Sequence, residues 1–220
     1  MTPARVRAVA FDLDGTLVDS RLDLADAVNR MRTELGLEPL TIDAVLTLVG
    51  AGARNLVRRA LGGAAPEALF ERGFAAFLRH YDAVCTRETR PYPEIDEMLA
   101  ALPAELPLAV VSNKPERFSR RIVEHLGWGA RFMDVVGGDT LPTRKPSPEG
   151  LLRVAARASV APQELLFVGD SAIDAAASDA AGCPLGLASW GFAGAEERRA
   201  LAARRWLERP LELLALLAGA

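Results

Sequence analysis

Cysteine and histidine are scarce in this chain, with two of each in 220 residues. Cys85 and Cys183 lie far apart and neither belongs to a paired motif. That excludes a disulfide framework or a cysteine-rich metal centre, and it fits a reducing, cytoplasmic setting. His80 and His125 fall on expected helices with no partner residue nearby, so neither reads as a ligand or a catalytic base. No apolar run approaches the ~20 residues of a membrane helix. The opening "MTPARVRAVAF" is too short in apolar residues for a signal peptide. A basic excess is also missing: the net charge is -3 and the pI about 5.6, without the clustered Lys and Arg of a nucleic-acid surface. Internal repeats and low-complexity linkers are absent. What remains is half apolar and one quarter charged. That is ordinary globular composition, long enough for one large domain or a domain with an insert.

"VRAVAF" (6–11) reads as a short buried strand, followed at once by the turn signal Asp-Gly-Thr. Ser20 is placed to cap a helix carrying Leu24, Val28, Met31 and Leu35, with Gly36 as its stop. Further amphipathic segments carry Ile42, Val45, Leu46 and Val49, then Leu56, Val57 and Ala60, then Phe70, Phe74, Phe77 and Tyr81. Beyond residue 90 the texture changes. Short apolar strands at 106–114, 131–139, 164–170 and 184–190 alternate with helical stretches at 94–102, 116–126, 148–158 and 172–181. This alternation implies βαβ units and a parallel sheet covered on both faces. The expected fold is α/β, a doubly wound parallel sheet formed by 1–18 and 90–220. A helical insert at 19–89 interrupts it, with hinges near 17–20 and 88–93. The tail is expected to form a charged helix, "AEERRALAARRW", and a short apolar one, "LELLALL".

Four strand ends carry polar residues that their apolar patterns do not require. They are Asp12 and Asp14; Ser112 and Asn113; a loop holding Lys145; and Asp170, with Asp174 four residues on. In a doubly wound sheet, ligands bind at the carboxyl ends of the strands where the strand order reverses. Four carboxylates would then face one lysine, a pooled charge of about -3 that is costly to bury unpaired. A divalent cation resolves this, and oxygen ligands without His or Cys favour Mg²⁺. Metal, lysine and serine together suit a phosphate. Ser112 and nearby amides can donate to its oxygens, and Lys145 supplies a point charge. One carboxylate of the 12/14 pair can act as a nucleophile on phosphorus, and the other can hold a proton.

"DLDGTLVDS", "VVSNKP", "RKPSPEG" and "GDSAIDAAASDAAG", in this order, resemble the four motifs of haloacid dehalogenase-like phosphatases. The helical insert is similar to their cap, and the sheet to their Rossmann-like core. The resemblance implies Asp12 as nucleophile and Asp14 as general acid/base. It implies Mg²⁺ held by Asp12, the Asp14 carbonyl and Asp170 with Asp174 supporting, and phosphate held by Ser112, Asn113 and Lys145. The stretches "LVGAGARNLVRRALG" and "GGDTLPTRKPSP" are similar to those of members acting on 2-phosphoglycolate, which implies that substrate and an aspartyl-phosphate intermediate. Sugar and amino-sugar phosphate phosphatases and phosphomutases share much of this phrasing. A non-catalytic binding module need not keep all four motifs. In "GAGAR" (50–54), Gly52 would allow close approach to a ligand and Arg54 could pair with a substrate carboxylate. The expected partner is a small phosphorylated metabolite, with no nucleic acid or membrane, acting on a monomer or homodimer.

Overall fold

The structure is a computed structural model and describes residues 5–218. The chain opens with β1 (Ala8–Phe11), four apolar residues buried on both faces. It leaves the sheet through the two-residue strand β2 (Val18–Asp19) and enters four helices: α1 (Arg21–Glu34), α2 (Ile42–Leu46), α3 (Ala53–Ala60) and α4 (Glu67–Val84). It returns through β3 (Arg90–Pro91), which pairs antiparallel with β2. Then follow α5 (Ile95–Ala101), β4 (Leu108–Val111), α6 (Glu116–His125), β5 (Asp134–Val136), α7 (Glu149–Ala158), β6 (Leu165–Gly169), α8 (Ala172–Ala181) and β7 (Leu185–Ala188). The chain ends with α9 (Ala195–Ala200), β8 (Trp206–Leu207) and α10 (Glu212–Ala218).

Six strands form one parallel sheet in the order β5-β4-β1-β6-β7-β8. Continuous apolar sequence in β1, β4 and β6 suits central strands covered on both sides. One face packs on Ile95, Met98, Ile122 and Leu213, the other on Leu151, Val154 and Ala177. The helices of the insert gather around a separate cluster that includes Val28, Met31, Phe70, Phe77 and Tyr81. Phe118 of α6 joins that cluster, its ring edge-on to Tyr81 at 4.9 Å, so the insert is seated on the sheet domain. No described helix is long and apolar enough to cross a membrane.

Three local expectations are corrected. The charged tail helix stops at Ala200, and Trp206 and Leu207 instead add an edge strand beside β7. The arginine-rich "AARR" cannot bury a helix face, whereas Leu207 is buried and Trp206 half-buried. The second amphipathic segment is shorter than its apolar pattern, ending at Leu46. Ser20 sits at the start of α1, yet its hydroxyl makes no backbone cap and is used elsewhere.

Where the chain crosses between the two parts, Asp23 of α1 is fully buried. Its carboxylate accepts from the Glu88 and Thr89 amides at 2.9–3.0 Å and from Thr89 Oγ at 2.8 Å. One side chain thereby ties the outgoing connection to the returning one. Asp23→Ala strands these buried donors and should lower unfolding free energy by roughly 2–4 kcal/mol. Urea denaturation measures this; a loss under about 0.5 kcal/mol, the range of an ordinary surface change, would contradict the anchoring role.

Candidate active site

From β1 the chain winds outward through β4 and β5, then crosses to build β6, β7 and β8 on the other side. The order reverses between β1 and β6, and a crevice opens beyond their carboxyl ends. Asp12 follows β1 and Asp170 follows β6 directly, while Ser112, Asn113 and Lys114 follow β4. Gly15 turns the first loop back over the crevice with φ +84°, and a side chain there would overlap the Asp170 carboxylate. Only glycine meets both demands.

Carboxylate oxygens of Asp12, Asp170 and Asp174 lie within 4.8 Å of one another, all buried. Lys145 Nζ reaches in from the loop after β5, 2.8 Å from Asp12 Oδ1 and 2.7 Å from Asp174 Oδ1. Asp174 Oδ2 accepts from the Asp170 and Ser171 amides at 3.1 Å and from Ser171 Oγ at 2.6 Å. Both Asp174 oxygens are therefore engaged, which makes it an orienting residue. Asp170 accepts from the Phe192 amide at 2.6 Å. Asp12 Oδ1 touches Lys145 as an ion pair but accepts no well-aligned hydrogen bond. The side chain of Asp14 turns away from this cluster. Its Oδ1 accepts from Ser20 Oγ and from Lys114 Nζ, both at 2.5 Å.

Burial pushes the Asp12 carboxyl up to about 6, with the Lys145 ammonium opposing and Asp174 adding to the rise. Asp170 is raised well above the carboxylate range, by burial first and then by Asp174 and Asp12. Burial lowers Lys145, but its two carboxylates outweigh that and leave it above the usual lysine range. Four carboxylates and two ammonium groups leave a formal balance of minus two, which the charge of a divalent cation would offset. Crowded oxygen donors, an unaligned Asp12 oxygen and no nitrogen or sulfur ligand fit such an ion.

A cleft of about 720 Å³ opens over this floor. The insert contributes an apolar wall that includes Leu24, Leu46, Leu56, Phe77 and Tyr81. Residues 6–182 match the family model of haloacid dehalogenase-like hydrolases. The chain belongs to the haloacid dehalogenase-like hydrolases. The phosphoglycolate phosphatase of Chromobacterium violaceum is 44% identical to this hydrolase over 200 residues, covering 89% of this chain and 90% of that one. That of Neisseria meningitidis serogroup A is 42% identical over 183 residues, covering 81% and 78%. A crystal structure from Haemophilus somnus 129pt, described as a predicted phosphoglycolate phosphatase, superposes with a TM-score of 0.89. It shares 30% identity and covers 97% of this chain and 98% of its own.

The hydrolase thus draws Asp12, Lys145, Asp170 and Asp174 together and holds Asp14 beside them. Ser112 lines the cleft. Asn113 Nδ2 donates to the carbonyls of Gly50 at 3.0 Å and Lys145 at 2.9 Å, bracing the insert against the Lys145 loop. Gly52 lines the cleft with φ +88°. Arg54 is not brought there. It begins α3, pairs with Glu71 at 2.6 Å and stacks on Phe70 and Phe74, because those rings and that carboxylate lie on the facing side of α4. Sequence reasoning missed Lys114 and Ser20, the partners of Asp14. The signal for Lys114 was compositional: the chain has 24 arginines and only two lysines, and both lysines are buried here.

Asp12 holds its proton more tightly in the folded, cation-free protein than in the unfolded chain. Its contribution to stability is therefore present at low pH and lost as pH rises through about 6. A divalent cation must displace that proton, so it should raise the melting temperature clearly at about pH 7.5 and little at about pH 5. Thermal scans with and without the ion measure this; equal shifts at both pH values would be the contrary result.

Proposed function

We propose that this phosphatase is a Mg²⁺-dependent phosphomonoesterase that hydrolyses 2-phosphoglycolate to glycolate and phosphate. The observation that carries the reading is the buried Asp12, paired with Lys145 among further carboxylates at the floor of the cleft. The choice of substrate is supported by the two relatives, both named for that activity, whose lengths this chain largely spans. Both cysteines are buried free thiols, in keeping with a cytoplasmic enzyme.

Asp12 and Asp170, with the main-chain carbonyl of Asp14, would hold Mg²⁺. The bound ion would offset the charge of the phosphate and its surrounding carboxylates. Asp174 keeps Lys145 and the start of α8 in place. The Asp12 carboxylate attacks phosphorus, the bond to the ester oxygen breaks, and Asp14 gives that oxygen a proton. Water then attacks the aspartyl-phosphate, Asp14 takes its proton back from that water, and phosphate leaves. Lys145 and the Ser112 hydroxyl bind phosphoryl oxygens. The apolar wall of the insert excludes bulk water while the cleft is closed, with β2 and β3 as the hinge.

A phosphate-release screen with Mg²⁺ over small phosphorylated acids and sugars tests the substrate. Turnover of 2-phosphoglycolate should exceed that of sugar phosphates by at least about tenfold in kcat/KM, a transition-state difference of roughly 1.4 kcal/mol. Equal turnover across the panel would defeat the assignment. Asp12→Asn should lower release from every substrate by at least about a thousandfold, since it removes the nucleophile. Release near the wild-type rate would defeat the mechanism.

A further inference from the structure

Among the described residues that line the cleft, Lys114 is the single cationic side chain. Lys145 is enclosed between Asp12 and Asp174, and Arg54 is committed to Glu71. The wall supplied by the insert is mainly apolar side chains and glycine backbone, and its one carboxylate, Asp43, repels an anion. Arg144 lies beside Gly52 outside that lining, so Lys114 is the cationic side chain within the lining itself that can meet a second anionic group of a substrate.

We propose that Lys114 recognises the carboxylate of the leaving group. The proposal rests on the reading of the substrate as a phosphorylated short-chain acid. Asp14 Oδ1 accepts from two donors, Ser20 and Lys114. Lys114 is itself buried, its side chain only 4% exposed, with Nζ above the Tyr81 ring at 5.1 Å. A buried ammonium that loses its counter-charge is strongly unfavourable. A leaving-group carboxylate avoids that cost, because it can join or replace Asp14 as a partner of Nζ, which carries three donors. The lysine keeps its protons throughout and only its partner changes. A neutral leaving group offers Nζ no such partner.

The backbone limits how far this contact can reach. The Lys114 amide donates to Ser112 Oγ at 3.3 Å, and its carbonyl accepts from the Gly138 amide at 2.8 Å. The residue proposed to grip the carboxylate thus stands two positions from one proposed to grip the phosphate, on one pinned loop. A lysine suits this task better than an arginine, because a point charge can change partner without matching a second hydrogen bond.

The test compares kcat/KM for 2-phosphoglycolate with that for 2-hydroxyethyl phosphate, a neutral ester of the same length. Lys114→Met should lower the ratio of the two by at least about thirtyfold relative to wild type, mainly through KM for phosphoglycolate, the scale of one charged hydrogen bond. Lys114→Arg should recover part of the ratio. Arg54→Ala should keep the wild-type ratio. Glycolate should also inhibit hydrolysis of an aryl phosphate by wild type and lose that effect in Lys114→Met. Should Lys114→Met fail to fold, Lys114→Gln keeps a donor to Asp14 without the charge and gives the same readouts. A folded variant with an unchanged ratio overturns the role of Lys114. The absolute ratio in wild type bears instead on the substrate, so the two ideas can fail separately.

Discussion

Three buried aspartates share one small space where β1 and β6 end, and much of the surrounding structure answers the cost of keeping them there. Each is handled differently. Asp174 is saturated by the Asp170 and Ser171 amides, the Ser171 hydroxyl and Lys145. Asp170 takes one backbone amide and is enclosed by Gly15 and Gly191, where any side chain would overlap it. Asp12 has only the ammonium of Lys145 and stays the least satisfied. The pattern leaves a deficit of positive charge at the point where a doubly charged ion and a phosphate would meet.

The second lysine organises the other half of the site. Lys114 and Ser20 hold Asp14 from opposite directions, one from the loop after β4 and one from the first turn into the insert. Asn113 makes a similar link, bonding both the Gly50 carbonyl of the insert and the Lys145 carbonyl. Asp23 fastens the two crossing connections to each other. The position of the insert is thus coupled to Asp14 and to the Lys145 loop through short polar contacts, while its apolar wall shapes the cleft. The carboxylate cluster sits at the strand ends, and the inserted helices form the facing wall of the cleft.

Much of this was legible in advance, for identifiable reasons. β1, β4 and β6 are continuous apolar runs that stop abruptly at polar residues, so both the parallel sheet and the edge where those residues gather could be read from local pattern. The edge strand β8 could not. Two residues amid arginines carry no strand period, and they join the sheet because Leu207 finds a buried place beside β7. Ser20 read as a helix cap because serine at a helix start ordinarily is one. Its hydroxyl was drawn off by Asp14, six positions earlier in the chain but brought opposite by the tight turn at Gly15.

The amino-acid order alone determined which groups end each strand, that oxygen ligands rather than sulfur or nitrogen supply the charge, and that helices interrupt the sheet after its first strand. These follow from residue type and short-range periodicity. Folding in three dimensions decided the pairings: Lys145 with Asp12 and Asp174, Lys114 with Asp14, and Arg54 with Glu71, away from the cleft. A charged side chain reaches several ångströms in any direction and leaves no periodic trace. Its partner is settled only when the backbone has brought distant residues within hydrogen-bonding range and burial has made an unpaired charge intolerable.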